Sequence, residues 1–262
     1  MVMRYLLLCL ALVTGSPQVM AAALPERIRL VSEAWIDYTN ADGTGLAWDV
    51  LRKVYEPAGV EVEAQSAPYS RAVGLVRRGQ ADAWVGAYQG EKDALYPRWH
   101  FDMDHIYVLG LANRPEPTLQ GIGQYRLAWV HGYDFKQYLP NVEQFREIQR
   151  REGILPMLEH DRVDFYIDSL TEVDYVLEQA PDKQLFRRSH LTELPLYLAF
   201  GDGPDSQALR DLFDQRMEKL VRSGELRPIF ERWKQPYPFT PQGRPRCASS
   251  MPVASGAAKA CH

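Results

Sequence analysis

The sequence predicts an α/β protein built as two lobes, and two observations support this prediction. Segments of strand type and of helix type alternate over residues 28–85, and they alternate again over residues 125–179. An apolar run of strand type, at 107–112 and at 196–200, follows each of these two series. Alternation of this kind is typical of a mainly parallel sheet covered by helices. The two apolar runs mark the places where the chain leaves the first lobe and later returns to it.

The first series has the order β-α-β-α-β. Its predicted strands are short and carry β-branched or alternating apolar residues: 28–31, 60–64 and 81–85. Between them lie two predicted helices, at 46–55 and 70–78, each followed within a few residues by a glycine. Trp48 and Trp84 fall inside these elements, where we expect them to pack in the core.

The second series contains two predicted strands and three predicted helical segments. The strands are 125–130 and 163–167, and the helical segments are 135–139, 143–158 and 170–179. A last helical stretch, at 209–233, is predicted to close the first lobe.

Both ends of the chain differ in character from the middle. Residues 1–23 have a basic start, a short apolar run and three final alanines, which is the pattern of a secretory signal peptide; the run is too short to cross a bilayer. Residues 240–262 are rich in Pro, Gly, Ala and Ser and are predicted to be disordered. Cys247 and Cys261 lie in this tail and can pair in an oxidising compartment. We therefore expect a periplasmic protein whose globular part is stabilised by its core.

Composition argues against several classes of function. The chain carries 30 Lys and Arg against 34 Asp and Glu, a net charge of −4, which argues against a nucleic-acid partner. Its 6 histidines show no metal-ligand spacing along the sequence, and it has neither a phosphate loop nor a Gly-x-Ser-x-Gly sequence. We expect no cofactor and no metal, and a monomer that binds a small molecule rather than an enzyme.

Four segments within residues 27–239 carry a resemblance to a known family. They are the loop and helix over 32–51 with its Gly45 and Asp49, the stretch Arg78-Gly79-Gln80-Ala81-Asp82-Ala83, the stretch Phe101-Asp102-Met103-Asp104-His105-Ile106-Tyr107, and the stretch Arg162-Val163-Asp164-Phe165-Tyr166-Ile167-Asp168. In this order they resemble periplasmic solute-binding proteins of the amino-acid type (family 3), which have the type II periplasmic binding fold.

The resemblance implies two lobes that close on a small polar ligand, an amino acid or a related amine, by bending at a hinge of two segments, 108–112 and 196–200. The first lobe would consist of residues 24–108 and 200–239, and the second of residues 109–199. The closed protein would be presented to an ABC permease in the membrane.

Two alternatives to transport stay open. One is a ligand-sensing module for a membrane signalling protein. The other is a periplasmic enzyme of the cyclohexadienyl dehydratase type, for which Glu33 or Glu91 would be the general acid.

The chain departs from the family at the positions that usually hold an amino acid. Members of the family bind the ligand carboxylate with an arginine after the third strand and with Gly-Thr-Thr at a helix N-terminus. This chain has Lys92 near the first position and Gly132-Tyr133-Asp134 at the second. The family's ammonium-binding aspartate falls on Ser169, with Asp168 one residue earlier.

The candidate ligand-binding residues lie on predicted loops that face the cleft, near the carboxyl ends of strands, where open α/β sheets bind ligands. Aromatic rings there can stack on a cationic or apolar group, carboxylates can hold an ammonium group, and basic groups can pair with a carboxylate. The candidates are Trp35, Asp37, Tyr38, Tyr69, Arg71, Tyr88, Lys92, Tyr133, Asp134 and Asp168. Asp134 can equally cap the helix that follows it.

Overall fold

The computed structural model describes residues 24–240. The predicted signal peptide, residues 1–23, lies outside the described residues, and so do residues 241–262 of the predicted tail with Cys247 and Cys261. Within the described part, no helix combines the length and the apolar character needed to cross a membrane.

The described residues form one mixed sheet of eight strands with six α-helices around it. The strands are β1 Arg27–Ser32, β2 Glu61–Ser66, β3 Ala83–Ala87, β4 Asp102–Leu111, β5 Leu127–Val130, β6 Phe145–Ile148, β7 Phe165–Ser169 and β8 Phe186–Phe200. The helices are α1 Leu46–Tyr55, α2 Tyr69–Arg77, α3 Ile154–Glu159, α4 Leu170–Glu178, α5 Ser206–Ser223 and α6 Arg227–Arg232. The strand order across the sheet is β2-β1-β3-β8-β4-β7-β5-β6.

The first lobe is built on β1, which pairs in parallel with β2 and with β3. Trp48 on α1 and Trp84 on β3 are fully buried, as predicted. The C-terminal helices α5 and α6 pack against α1. Two polar contacts fix them: the Tyr55 hydroxyl donates to the Leu209 carbonyl at 3.2 Å, and Trp233 Nε1 donates to Asp49 at 2.8 Å. Helices α5 and α6 thus belong to the same lobe as β1 and α1.

The second lobe is built on β5, which pairs in parallel with β6 and with β7. The predicted helix over 143–158 is wrong in its first part, because residues there form the edge strand β6. The Phe145 ring stacks on Trp129 with 4.6 Å between centroids, so pairing with β5 decides the conformation of a segment with weak preference of its own. The predicted helix at 135–139 is a single 3-10 turn, Phe135–Gln137.

Two long antiparallel strands, β4 and β8, join the lobes. β4 pairs with β7 of the second lobe, while the end of β8 pairs with β3 of the first. β8 begins ten residues before its predicted start at 196, and its first part pairs with β4 from Leu111↔Phe186 onward. The pairing register shifts between Ile106 and Tyr107, so one residue of β8, Leu191, has no partner.

Candidate functional site

A cavity lies between the two lobes, near the carboxyl ends of the parallel strands. Loops that follow β1, β2, β3, β5 and β7 contribute to its walls, together with the first residues of β4. The space measures about 850 Å³ including its open mouth. A cleft of this size, placed between lobes at strand ends, suits a small molecule.

Five aromatic residues form much of the cavity wall: Trp35, Tyr38, Tyr69, Tyr88 and Tyr133. The Trp35 ring lies 6.5 Å from Tyr38 and 6.3 Å from Tyr69 between centroids. Tyr69 meets Tyr133 edge to face at 5.5 Å. Trp35 Nε1 donates to the Tyr133 hydroxyl at 3.0 Å, and this hydrogen bond crosses from the first lobe to the second.

A bulge in β3 makes room for the Trp35 ring. Gly86 has φ +84°, and a Cβ at this position would lie 2.7 Å from the indole. The register between β3 and β8 shifts between Val85 and Ala87, on either side of this glycine. A positive φ is accessible to glycine at little cost, so Gly86 lets the indole lie directly against the strand.

Three carboxylates face the same cavity: Asp102 and Asp104 at the start of β4, and Asp168 in β7. Tyr38 donates to Asp102 at 2.8 Å, and Tyr88 donates to Asp104 at 2.6 Å. Burial raises the pKa of Asp102 and of Asp104 to about 7. Among the described residues that line the cavity there is no lysine or arginine, so the wall is aromatic and acidic.

Arg151 lies behind Asp168 with its guanidinium engaged by protein groups. Its Nε donates to Asp168 at 3.1 Å and lies 3.1 Å from Glu172. Its Nη2 donates to the Tyr133 hydroxyl at 2.8 Å, and its Nη1 donates to Glu33 at 3.4 Å. The contact with Glu33 is a second bridge between the lobes. Each of the three guanidinium nitrogens of Arg151 thus already has a carboxylate or a phenol as its partner.

Glu33 and Glu91 support the aromatic loops and lie outside the cavity lining. Glu33 accepts a hydrogen bond from the Tyr69 backbone N–H at 3.1 Å. Glu91 accepts from the Tyr69 hydroxyl at 2.5 Å and from the Tyr88 backbone N–H at 3.1 Å. Their contacts position two of the rings.

Six of the ten candidate residues predicted from the sequence come together at the cavity: Trp35, Tyr38, Tyr69, Tyr88, Tyr133 and Asp168. The other four are not part of its lining. Asp37, Arg71 and Lys92 are exposed. Asp134 is half-buried, adopts φ +49°, and accepts a hydrogen bond from Gln137.

Local geometry explains these positions. Arg71 follows Tyr69 by two residues on α2, which turns it about 200° away from the ring that lines the cavity. Asp37 lies in a tight turn, where its backbone N–H donates to the Asn40 side chain at 3.0 Å.

Sequence reasoning did not select Asp102, Asp104 or Arg151. The two aspartates were visible as acidic residues at the head of an apolar strand, in the stretch that carried part of the family resemblance. Arg151 lay in a segment predicted to be helical, and no local pattern connects it to Asp168 or to Glu33.

Solved structures of other proteins match most of this chain. No protein-family model matches it, and no curated protein matches it. The substrate binding protein of an amino acid ABC transporter matches with TM-score 0.61 and 16% identity, over 80% of this chain and 100% of that one. A histidine kinase sensor domain with similarity to periplasmic binding proteins matches with TM-score 0.64 and 15% identity, over 79% and 95%. EhuB in complex with hydroxyectoine matches with TM-score 0.62 and 20% identity, over 80% and 89%.

These matches confirm the predicted fold class. Each spans both lobes and nearly the whole of the compared chain, and at these identities the likeness concerns the fold. The described chain therefore has the two-lobed type II periplasmic binding protein fold that solute-binding proteins of ABC transporters share with sensor domains.

Proposed function

We propose that this protein is a periplasmic solute-binding protein that closes on a small ligand with an ammonium or other cationic group, an amino acid or a related amine. The observation that carries the proposal is the character of the cavity wall, where five aromatic rings and three aspartates meet without a lysine or arginine among the lining residues described. Ring faces attract a cation through the π quadrupole, and carboxylates form strong charge-assisted hydrogen bonds with it. An anion would find no lysine or arginine to pair with on this wall.

The ligand need not be a zwitterion, because Arg151 is already paired. The backbone N–H groups of Leu170 and Thr171, which line the cavity at the start of α4, can accommodate a small polar acceptor. EhuB, which has a similar fold, was solved in complex with hydroxyectoine, a small organic molecule.

Presentation to an ABC permease is the role that fits the fold of a transporter's binding protein. Sensing is the second candidate, favoured by the match to a histidine kinase sensor domain. Affinity capture from native membranes with ligand-saturated protein distinguishes them, because transport predicts a permease and sensing predicts a signalling receptor. An enzymatic role predicts that the ligand is converted, which NMR of the recovered ligand would detect.

A calorimetric screen tests the ligand class, using arginine, lysine, putrescine, choline and ectoine-type solutes beside neutral and anionic controls. We expect cationic compounds to bind and succinate not to bind. Asp104→Asn should then weaken the best cation roughly ten- to a hundred-fold, since a charge-assisted bond in a closed cleft contributes about 1.5–3 kcal/mol. Asp37→Asn is the matched control, because Asp37 is exposed outside the cavity, and it should bind normally. Tight binding of anions, or equal affinity in Asp104→Asn, would contradict the proposal.

A further inference from the structure

A second cluster of ligating side chains lies on the two strands that join the lobes. His105 is on β4, and His190 and Glu193 are on β8. One ligand atom from each of these three side chains lies within 4.8 Å of the other two. His105 Nδ1 is 3.2 Å from Glu193 Oε1. The imidazole of His190 is held by an edge-to-face contact with Tyr107, with 5.3 Å between ring centroids.

The bulge in β8 creates this cluster. His105 pairs directly with Glu193, so both point to one face of the ribbon. In a regular ladder Leu191 would be the next residue of β8 on that face. The register shift places His190 opposite Tyr107 instead, and Leu191 is buried in the core. Bulges commonly re-aim a side chain in this way, and here the result is two imidazoles and a carboxylate on one face.

The spacing suits a tetrahedral metal ion. Zn²⁺ binds imidazole nitrogen and carboxylate oxygen at about 2.0–2.1 Å, so neighbouring ligand atoms lie about 3.3 Å apart. The pair His105–Glu193 already has this separation, at 3.2 Å, and the His190 nitrogen lies within 4.8 Å of the other two ligand atoms. His190 is exposed and the other two side chains are half-buried, so an ion can enter from solvent and keep a position for water.

We propose that His105, His190 and Glu193 bind a divalent transition-metal ion, Zn²⁺ in the first place, as a bridge between β4 and β8. Two imidazoles and one carboxylate form a ligand set that zinc sites with an open position use. The site goes beyond the proposed ligand binding, but it adjoins it, because His105 is also one of the residues that line the cavity. The spacing of the histidines along the sequence does not reveal this site, because His105 on β4 and His190 on β8 are far apart in the chain.

Zn²⁺ titration by calorimetry on the full chain is the test. The protein carries Cys9→Ser, Cys247→Ser and Cys261→Ser, so that thiols outside the described residues do not compete. One Zn²⁺ per chain is expected, with micromolar or tighter affinity. His105→Ala and His190→Ala should each weaken it at least roughly tenfold, since loss of a hydrogen-bond partner behind a metal ligand already costs about that much.

His131→Ala is the matched control and should bind Zn²⁺ normally. His131 Nδ1 lies 2.9 Å from Glu147 Oε2, a histidine–carboxylate pair like that of His105 with Glu193, but it is not part of the three-residue cluster. Co²⁺ in place of Zn²⁺ should give the visible absorption of a tetrahedral site in the parent and not in His190→Ala. Melting curves in EDTA check that the variants are folded. Absence of Zn²⁺ binding, or unchanged affinity in both cluster variants, would overturn the proposal.

Discussion

Asp102 shows at the residue scale how burial changes the chemistry of the cavity. Its side chain accepts hydrogen bonds from the Met103 backbone N–H and from Tyr38, at 2.8 Å each, while Asp104 adds a repelling charge. Burial outweighs the two hydrogen bonds and raises the pKa of Asp102 to about 7. A bound cation would favour the ionised form of Asp102. Ionised Asp102 would in turn bind the cation more tightly.

The raised pKa predicts that the ligand-free protein loses stability as pH rises through 7. The folded state holds the Asp102 proton more tightly than the unfolded chain, so the unfolding free energy is larger below pH 7 and falls until Asp102 is ionised. Between pH 6.5 and 8.5 this carboxyl should account for about 1 kcal/mol. Denaturant titrations in EDTA across this window should give a flatter pH dependence for Asp102→Asn than for the parent.

The pH range of this measurement begins at 6.5 because His100 opposes the effect of Asp102 at lower pH. Burial lowers the pKa of His100 to about 4, and below pH 6.5 this group acts in the opposite direction, since the unfolded state then binds the proton more readily. The parent and the variant are compared by the slope of the unfolding free energy against pH. Asparagine can accept only one of the two hydrogen bonds that Asp102 accepts, and this loss lowers the unfolding free energy at every pH without changing the slope. An equal slope in the variant would show that Asp102 is ionised throughout.

Single irregular positions within strands shape both candidate sites at the element scale. The bulge at Gly86 in β3 lets Trp35 lie against the cavity wall, and the bulge at Leu191 in β8 turns His190 toward His105. Without these bulges, the Trp35 ring would not lie against the cavity wall, and the His190 imidazole would not lie beside His105 and Glu193. The two bulges lie on β3 and β8, strands that pair with each other.

Gly86→Ala should therefore cost more than an ordinary glycine replacement. It combines a positive φ with a Cβ only 2.7 Å from the indole, so we expect a loss of about 2–4 kcal/mol in unfolding free energy and weaker ligand binding. Gly59→Ala is the control, because Gly59 has nearly the same φ, +83°, with nothing within 4 Å of the added Cβ. It should lose about 1 kcal/mol. Equal losses in chemical denaturation would show that Trp35 moves aside freely.

Two polar contacts connect the lobes and matter for the molecule as a whole. The bond from Trp35 to Tyr133 and the pair of Arg151 with Glu33 join loops of the first lobe to the second. Both contacts lie beside the cavity, so they form in the same arrangement that encloses a ligand. If the lobes open and close around a ligand as proposed, contacts present only in the closed state slow ligand release.

Glu33→Gln should accelerate ligand release without removing a group from the cavity lining. Loss of the charge opposite Arg151 should cost about 1 kcal/mol in the closed state, or roughly fivefold in the dissociation rate. Stopped-flow measurements with the best ligand of the screen give that rate, and small-angle scattering should show a larger radius of gyration for the ligand-free variant. Glu147→Gln, which changes a carboxylate paired with His131 inside the second lobe, is the control. An unchanged release rate in Glu33→Gln would mean that this ion pair does not hold the lobes together.

Local sequence patterns are enough to predict the α/β class, the order of most elements and the loops that carry the cavity's aromatic rings. Periodicity and turn residues act over a few neighbouring positions, so they are readable without the fold. The tertiary structure alone decided that Asp102 and Asp104 face Asp168, that Arg151 is occupied while Arg71 is exposed, and that His105 meets His190. These contacts join residues distant in the chain, and sheet pairing with its two bulges sets them, which no local pattern records.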